Sequence, residues 1–358
     1  MPSNKKVIHI IGTGTIGEPL IGLFADKKDR LGFDEVTFHK RTPLMTDRSK
    51  VINLIKRGAR LVCDEEARRG FRDLGIEPSY GHHEALEQAT VVIDCTPSDI
   101  GLRNKKELYQ KYAHNTLGFI AQGSEFGFGK MYARGISEAT LQRGTDKYVQ
   151  VVSCNTHNLA VLIDLIALKD GGASNLVEGR FLCIRRANDI SQDSSFVPSP
   201  QVNRHKDERF GTHHARDAWH LFRALGYDLN LFSSALKVNS QYMHAVHFNI
   251  RVKRPTSVEA ILERLQRDDR IALTYKQSAN TVFSFGRDYG HYGRILNQAV
   301  LVAPTLTVHE GHEVVGFCFT PQDGNALISS VAAATWFVYP ESYEEKLNCL
   351  RDSIFSEV

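Results

Sequence analysis

The sequence has few of the features that mark secreted, membrane-spanning or metal-binding proteins. Its 358 residues include six cysteines, and no two of them form a CxxC pair. Cysteines spread in this way are typical of reduced thiols in an intracellular protein. No apolar run approaches the ~18 residues of a membrane helix, and the apolar run near the N-terminus is too short for a signal peptide. We therefore expect a cytoplasmic protein with no membrane partner and no bound metal.

The charge balance also excludes a class of partners. The chain carries 44 basic and 41 acidic residues, a formal charge of +3, with 42% hydrophobic and 24% charged residues. These values are ordinary for a globular protein, and the net charge is too small to predict nucleic acid as a partner. At about 150 residues per domain, the length indicates two domains or one large one.

Short apolar strands alternate with helical patterns over the first 150 residues. The predicted strands are Val7–Ile11, Val36–His39, Val91–Cys95, Leu117–Ala121 and Val149–Ser153, and the predicted helices are Ile16–Ala25, Arg48–Lys56, Arg68–Leu74 and Lys105–Tyr112. This alternation predicts a Rossmann-type α/β domain, a doubly wound parallel sheet, over residues 1–153.

Beyond residue 176 the strand-like runs become longer and the helices fewer. Predicted strands are Gly179–Arg186, Tyr242–Val252, Ala299–Val308 and His312–Phe319; a helix is predicted at Ser257–Arg267 and a loop at Asn188–Phe210. We expect an α+β catalytic domain with a mixed or antiparallel sheet over residues 154–322. A C-terminal helix, within about 323–358, is expected to pack back on the first domain.

A glycine-rich turn follows the first strand. Gly12, Gly14 and Gly17 form a GxGxxG pattern, with Thr15 and Ile16 inside it, at a strand-to-helix turn. In that context the pattern is typical of dinucleotide binding: the turn is tight, and the backbone approaches a pyrophosphate at the helix N-terminus. The alternative is three glycines in an ordinary loop.

The end of the second strand bears on the choice of nucleotide. An NAD site usually has a carboxylate there for the ribose hydroxyl, whereas this chain has His39, Lys40 and Arg41. We therefore predict NADP in preference to NAD; the alternative is a solvated basic turn. Further cofactor contacts are expected at two later strand ends, Thr96–Pro97 and Gln122–Gly123.

Cys154 lies where a strand gives way to a helical pattern. The free N–H groups of a helix start favour a thiolate, so we expect the pKa of this thiol to fall below the usual ~8.5. A thiolate beside a nicotinamide suggests attack on an aldehyde, loss of hydride, and a thioester that phosphate or water cleaves. Asn155 and the helix-start N–H groups are expected to stabilise the oxyanion. The alternative is a buried structural thiol.

Several motifs, in order, resemble the archaeal-type phosphorylating glyceraldehyde-3-phosphate dehydrogenases. They are "GTGTIG", "VVIDCTPSDIGLRNKKELY", "QGSE", "DKYVQVVSCNT", "RRANDI", "THHARDA" and "ALKVNSQYMH". The resemblance implies a Rossmann domain, a mixed-sheet catalytic domain, and a C-terminal helix that returns to the first domain. It also implies use of NADP or NAD, a small phosphorylated aldehyde with inorganic phosphate as substrates, and a homotetramer.

The same resemblance assigns roles to individual residues. Cys154 matches the nucleophile and His244 the base, while His247 would face the other side of its strand. Arg186 matches a cofactor contact. The implied substrate contacts are Ser153, Asn155, Thr156, Arg185, His213 and His214.

The chain departs from the family around the substrate. It reads "THNLAV" after Asn155, where the family typically has Thr-Thr-Gly-Leu-Cys-Arg, so Val161 stands in place of an arginine. Two alternatives therefore stay open. One is a relative with the same thioester chemistry on another phospho- or phosphono-aldehyde or an acyl phosphate. The other is a non-catalytic nucleotide-binding protein on the same fold.

Overall fold

A computed structural model describes residues 5–123, 125–190, 192–193, 196–321 and 323–358. The chain divides into two compact units. Unit 1 comprises Met1–Lys130, Leu141–Val151 and Ser329–Cys349; unit 2 comprises Met131–Thr140, Val152–Ile328 and Leu350–Val358.

The first sheet has eight strands. In chain order they are β1 (Val7–Ile11), β2 (Glu35–His39), β3 (Arg60–Cys63), β4 (Tyr80–Gly81), β5 (Val91–Asp94), β6 (Gly118–Gln122), β7 (Lys130–Tyr132) and β8 (Tyr148–Val151). Their order across the sheet is β4-β3-β2-β1-β5-β6-β8-β7, and the pairs from β4 to β8 are all parallel. The strand order reverses beside β1, which places the ends of β1 and β5 at the position where such sheets bind nucleotides.

Helices cover this sheet. They are α1 (Gly17–Leu31), α2 (Arg48–Lys56), α3 (Glu65–Asp73), α4 (His82–Gln88), α5 (Ile100–Asn104), a π-helical turn at Lys105–Tyr109 and α6 (Gln110–Tyr112). In α1 the apolar side chains Leu20, Leu23 and Phe24 are buried. The helix ends at Gly32, whose φ of 83° is a left-handed conformation that glycine adopts without strain.

The second sheet also has eight strands. They are β9 (Leu176–Arg185), β10 (Gln201–Val202), β11 (Leu231–Lys237), β12 (His244–Val252), β13 (Ile271–Thr274), β14 (Ala299–Val302), β15 (Thr307–His309) and β16 (Glu313–Thr320). The order is β10-β11-β9-β12-β16-β14-β13, with β15 beside β16. Parallel pairs at β11–β9 and β13–β14 combine with antiparallel pairs around β12 and β16, so the sheet is mixed.

Unit 2 has its main core on one side of this sheet. Its helices are α7 (Cys154–Ile163), a π-helical turn at Asp164–Leu168, α8 (Lys169–Gly171), α9 (His213–Ala224), α10 (Val258–Gln266) and α11 (Ala279–Tyr289). Every residue of α7 after Cys154 is buried. The alternate residues Val246, Phe248 and Ile250 of β12 contribute to the same core. This burial fixes the position of α7, and therefore of Cys154 at its start.

Two further helices lie near the C-terminus. The helix α12 (Gly324–Val338) is in unit 2 up to Ile328 and in unit 1 from Ser329, and α13 (Tyr343–Leu347) follows it in unit 1. A Cβ atom on Gly118 of β6 would lie 2.3 Å from the Phe337 ring, so this part of α12 lies close against the first sheet.

The predicted fold class is confirmed, because a parallel α/β sheet is accompanied by a second, mixed sheet with helices. The predicted loop 188–210 includes the short strand Gln201–Val202, and three of its residues lie outside the described part of the chain. No described helix has both the length and the hydropathy needed to cross a membrane.

Candidate active site and nucleotide-binding turn

The glycine-rich turn has the geometry that dinucleotide binding requires. Gly12 has φ = 98°, and a Cβ there would lie 2.8 Å from the carbonyl oxygen of Cys95. A Cβ on Gly17 would lie 2.1 Å from the Gly12 carbonyl oxygen, so only glycine fits at either position. By contrast, nothing lies within 4 Å of the Cβ position of Gly14. The space beside Gly14 lets a ligand approach the backbone at the start of α1.

The start of α1 also suits an anion. Ile16 is the N-cap residue and supplies no side-chain cap, while the Glu18 N–H donates to the Gly14 carbonyl and Pro19 has no N–H. The helix dipole favours a phosphate at this end of the helix. The turn 12–17 therefore fits the pyrophosphate of a dinucleotide.

The basic residues after β2 differ in their partners. Lys40 forms an ion pair with Asp47 at 2.6 Å, and this contact is the main cause that lowers the pKa of the Asp47 carboxyl. Arg41 is exposed and has no ion pair with any residue in the described ranges. Their roles towards a 2′-phosphate stay predictions.

The other predicted cofactor contacts lie at strand ends of the same sheet. Thr96 donates its backbone N–H to the Asp94 carboxylate at 2.9 Å, and Pro97 is exposed in the turn that follows. Gln122 donates to the Ser330 hydroxyl at 2.7 Å, so its amide nitrogen is already engaged inside unit 1. Gly123 has φ = 69° and turns the chain after β6. Their roles towards a cofactor stay predictions.

Ser153 and Asn325 fix Cys154 at the first position of α7. The Ser153 side chain caps the helix by accepting from the Thr156 N–H, and its hydroxyl lies 2.9 Å from the Thr156 hydroxyl. The carbonyl oxygen of Cys154 accepts from the Asn325 amide at 2.9 Å. Because Asn325 is fully buried and also donates to the Gln298 carbonyl, the cysteine backbone is held rigidly.

The expectation of a lowered thiol pKa is wrong for this structure. Burial raises the pKa of Cys154 to about 12, and the nearby Asp323 carboxylate adds to the rise, while Arg186 acts in the opposite direction. A helix N-terminus stabilises an anion by typically 0.3–1 kcal/mol, which is less than the ~1.4 kcal/mol of one pKa unit. Removal of the sulfur from water therefore outweighs the helix start.

The backbone at the start of α7 offers two hydrogen-bond donors beside the thiol. The N–H groups of Cys154 and Asn155 hold no hydrogen bond to any residue in the described part of the chain. The side-chain oxygen of Asn155 accepts from the Thr320 hydroxyl at 3.2 Å, which anchors that side chain at the end of β16. Two free N–H groups at a helix start are the arrangement that stabilises a developing oxyanion.

His244 is held in one tautomer. Its Nδ1 accepts the backbone N–H of Arg186 at 3.0 Å, so in the neutral ring the proton lies on Nε2. Burial lowers the pKa of His244 well below its usual value, with contributions from Arg186 and Arg185. The ring is thus neutral and presents an N–H at Nε2. His247 faces the other side of β12 and contacts the Phe317 ring.

Arg186 is engaged inside unit 2. Its side chain is 1% exposed and its Nη2 lies 3.2 Å from Asp189 and 3.3 Å from Asp323. Asp323 has φ = 69°, an unusual value for a residue other than glycine. The ion pair thus joins the end of β9 to the turn before α12. The predicted role of Arg186 as a cofactor contact stays a prediction.

Arg185 and two histidines form a second cluster around Ser153. His213 and His214 begin α9, with ring centroids 3.9 Å apart, and the Ser153 hydroxyl lies 3.4 Å from His214 Nδ1. Burial and the charge of Arg185 lower the pKa of His213 to about 4 and that of His214 well below its usual value. Within the described residues Arg185 has no ion pair, and His214 Nε2 is buried without a partner.

The structure thus brings most predicted unit 2 residues together. Cys154 lies within electrostatic reach of Arg185 and Arg186, and His244 within reach of Arg185 and His214. Sequence reasoning missed Asn325 and Asp323, which fix the cysteine backbone and influence its pKa. The polar stretch "DGN" before the apolar run of α12 was the available signal, since it is typical of a helix start.

Known proteins were compared with the chain. No protein-family model matches it. A glyceraldehyde-3-phosphate dehydrogenase of Methanobacterium bryantii is 29% identical over 278 residues, 75% of this chain and 74% of the relative. Enzymes of the same name from Pyrobaculum islandicum and Sulfolobus acidocaldarius are each 24% identical, over 86% and 87% of this chain and 85% of each relative. The predicted resemblance is confirmed: the chain is similar to archaeal glyceraldehyde-3-phosphate dehydrogenases over at least three quarters of its length.

Proposed function

We propose that the chain is an NAD(P)-dependent phosphorylating aldehyde dehydrogenase, similar to glyceraldehyde-3-phosphate dehydrogenase, with Cys154 as its nucleophile. One observation carries this proposal: Cys154 stands at a rigid helix start with two free N–H groups, next to an unpaired arginine and neutral histidines. A thiol, oxyanion donors and phosphate ligands are the parts that such a reaction needs.

The first step is addition of the thiol to the aldehyde. The sulfur bonds to the carbonyl carbon, the carbonyl oxygen becomes negatively charged, and the thiol proton neutralises it to give a hemithioacetal. The N–H groups of Cys154 and Asn155 donate to this oxygen while it carries charge. His244 donates its Nε2–H to the same oxygen. The base role implied by the resemblance would need the proton on Nδ1, towards which the Arg186 N–H already points.

The second half of the reaction makes the acyl phosphate. A nicotinamide cofactor held by this chain would supply the acceptor for the hydride of the hemithioacetal carbon, and the proton of the hemithioacetal hydroxyl would pass to solvent water. The resulting thioester on Cys154 is attacked by a phosphate oxygen, and the thiolate leaves. The residues of this chain that would hold the cofactor are the backbone of the turn 12–17 and, at a 2′-phosphate, Arg41.

Arg185, His213 and His214 are proposed as ligands of the substrate phosphate or the inorganic phosphate. Arg185 has no carboxylate partner among the described residues, so its positive charge is available to an anion. His214 Nε2 is buried without a partner in the same part of the chain, so it is available for a hydrogen bond. Both features suit a phosphate group. Val161, in place of the family's arginine, is fully buried among the apolar residues of α7, so it cannot contribute to such a site.

The test is turnover of glyceraldehyde 3-phosphate with NADP or NAD, with and without phosphate. Cys154→Ser should abolish turnover but leave nucleotide binding unchanged, because the substitution removes only the nucleophile. Cys183→Ala serves as the matched control, since Cys183 is a buried thiol within electrostatic reach of the partly exposed Cys154. Full activity of Cys154→Ser would overturn the proposal.

The altered substrate region motivates a second candidate: the same chemistry on another phospho- or phosphono-aldehyde, or on an acyl phosphate in reverse. The specific observation is the buried Val161. A panel of aldehydes compared by kcat/KM decides between the two. If glyceraldehyde 3-phosphate is the best substrate, the second candidate fails. If no aldehyde is oxidised while nucleotide still binds, the chain is a non-catalytic nucleotide-binding protein.

A further inference from the structure

A group of metal-ligating side chains lies in unit 1, beside the glycine-rich turn, where the His39 carbonyl oxygen accepts the Gly12 N–H at 3.3 Å. His39 at the end of β2, Asp64 after β3 and His82 at the start of α4 each offer one ligand atom, and these atoms all lie within 4.8 Å of one another. His39 Nε2 is 3.3 Å from Asp64 Oδ1, and the His39 and His82 ring centroids are 4.2 Å apart.

Asp64 points into this group instead of capping its own helix. It is the N-cap residue of α3, where an aspartate side chain normally accepts a helix N–H. Here the side chain makes no cap hydrogen bond and is directed to His39. The local sequence therefore favours a cap that the structure does not form.

One imidazole nitrogen of the group, and one of the neighbouring His9, are buried without a partner in the described residues. His9 Nδ1 lies 2.7 Å from the Thr37 hydroxyl, which leaves the other ring nitrogen to find a partner. That atom, His9 Nε2, is buried and unpaired within the described residues, as is His82 Nδ1. The His9 and His82 ring centroids are 6.3 Å apart. Buried polar atoms are normally satisfied, so two unpaired nitrogens in one cluster call for a ligand.

We propose that His39, His82 and Asp64 bind one divalent transition metal ion of the zinc type, with His9 Nε2 as a further nitrogen donor of the cluster. Imidazole and carboxylate ligands suit Zn²⁺ and Co²⁺. Two ligand atoms about 2.0–2.1 Å from a tetrahedral ion are separated by about 3.3–3.4 Å. The present separation of 3.3 Å between His39 Nε2 and Asp64 Oδ1 meets this requirement before any movement.

One cation lies close to the group. Arg41 is the nearby opposing charge, because it acts on the Asp64 carboxyl. The adjacent His83 is not part of the group, since its Nδ1 lies 2.6 Å from the Tyr112 hydroxyl.

The test is Co²⁺ and Zn²⁺ binding to chelator-treated full-length protein, followed by calorimetry and by the visible spectrum of Co²⁺. A Cys154→Ser background removes the thiol of the candidate active site as a competing ligand. We expect one equivalent of Co²⁺ with a tetrahedral spectrum that lacks thiolate charge-transfer bands. These readouts do not depend on the proposed enzyme activity.

Asp64→Asn and His82→Asn should each raise the Kd for the metal by more than about 10-fold, the lower end of the effect of removing an outer-shell partner. His83→Asn is the matched control and should leave the Kd unchanged. Asp64→Asn is nearly isosteric, and circular dichroism checks that each variant folds. The proposal is overturned if the parent protein binds no Co²⁺, or if Asp64→Asn and His82→Asn bind it as tightly as His83→Asn does.

Discussion

Burial of Cys154 should make its thiol slow to react in the absence of nucleotide. Its pKa of about 12 lies about 3.5 units above the ~8.5 of a free cysteine. At pH 7.5 the thiolate fraction is therefore ~3,000-fold smaller than that of a free cysteine. A more basic thiolate is also a better nucleophile. With a Brønsted coefficient of about 0.45, the rate constant of the thiolate itself is ~40-fold larger than that of a free cysteine thiolate. The net expectation is a rate about 80-fold below that of a free thiol.

The assay is the rate of reaction with an aromatic disulfide, measured from pH 6.5 to 9.5 and compared with a small free thiol. The logarithm of the rate should rise by about one per pH unit without a plateau, because the thiol stays far below its pKa throughout. The signal of Cys154 is obtained by subtraction of the Cys154→Ser variant. Four of the other five cysteines are buried and Cys95 is partly exposed, so Cys95→Ser is the second control.

A plateau at or below pH 8 would refute the reasoning. It would mean that the helix start and the nearby arginines stabilise the thiolate by more than burial opposes it. A slow rate with a plateau would point instead to restricted access of the reagent. The slope of the pH profile therefore separates the electrostatic cause from a steric one.

Three further measurements test neighbouring parts of the site. His244→Ala should lower kcat by about 10²–10³, as loss of an oxyanion donor does, while His247→Ala, on the other face of β12, should retain most activity; equal losses would contradict the assignment. Arg41→Ala should raise KM for NADP about 10-fold, equivalent to one charge-assisted hydrogen bond, and leave KM for NAD unchanged; a parallel rise for both would exclude a 2′-phosphate contact. Ser153→Ala should lower the free energy of unfolding by about 1 kcal/mol in urea denaturation, and no change would show that the cap contributes nothing.

The regular elements of the first sheet were largely predictable because their patterns are local. The predicted and observed bounds agree at both ends for the strand Val7–Ile11 and for the helix Arg48–Lys56. For the other predicted strands of that sheet, the bounds differ by one or two residues at one or both ends. Three strands were missed: Arg60–Cys63, Tyr80–Gly81 and Lys130–Tyr132. Each has four residues or fewer, too few for a period to be recognised. Their place in the sheet is decided by pairing with neighbours that are distant in sequence.

The site shows the same division between local and distant information. The glycine pattern predicted a turn whose φ values and close contacts the structure displays, since those requirements lie within six residues. The partner of Lys40 is Asp47, which faces it only because the turn after β2 leads into α2. Likewise, 25 residues separate His39 from Asp64. No spacing rule in the sequence predicts that these two side chains meet. They meet because β2 and β3 are parallel neighbours in the sheet.

Burial, more than local sequence, sets the ionisation of the groups in this protein. A lowered pKa was predicted for Cys154 from its place at a helix start, yet burial raises the pKa of this thiol to about 12. Burial likewise lowers the pKa of His82 to about 4. In both cases the cost of removing the charged form from water exceeds the gain from neighbours that sequence reveals. Both groups are therefore neutral at pH 7 in the free protein.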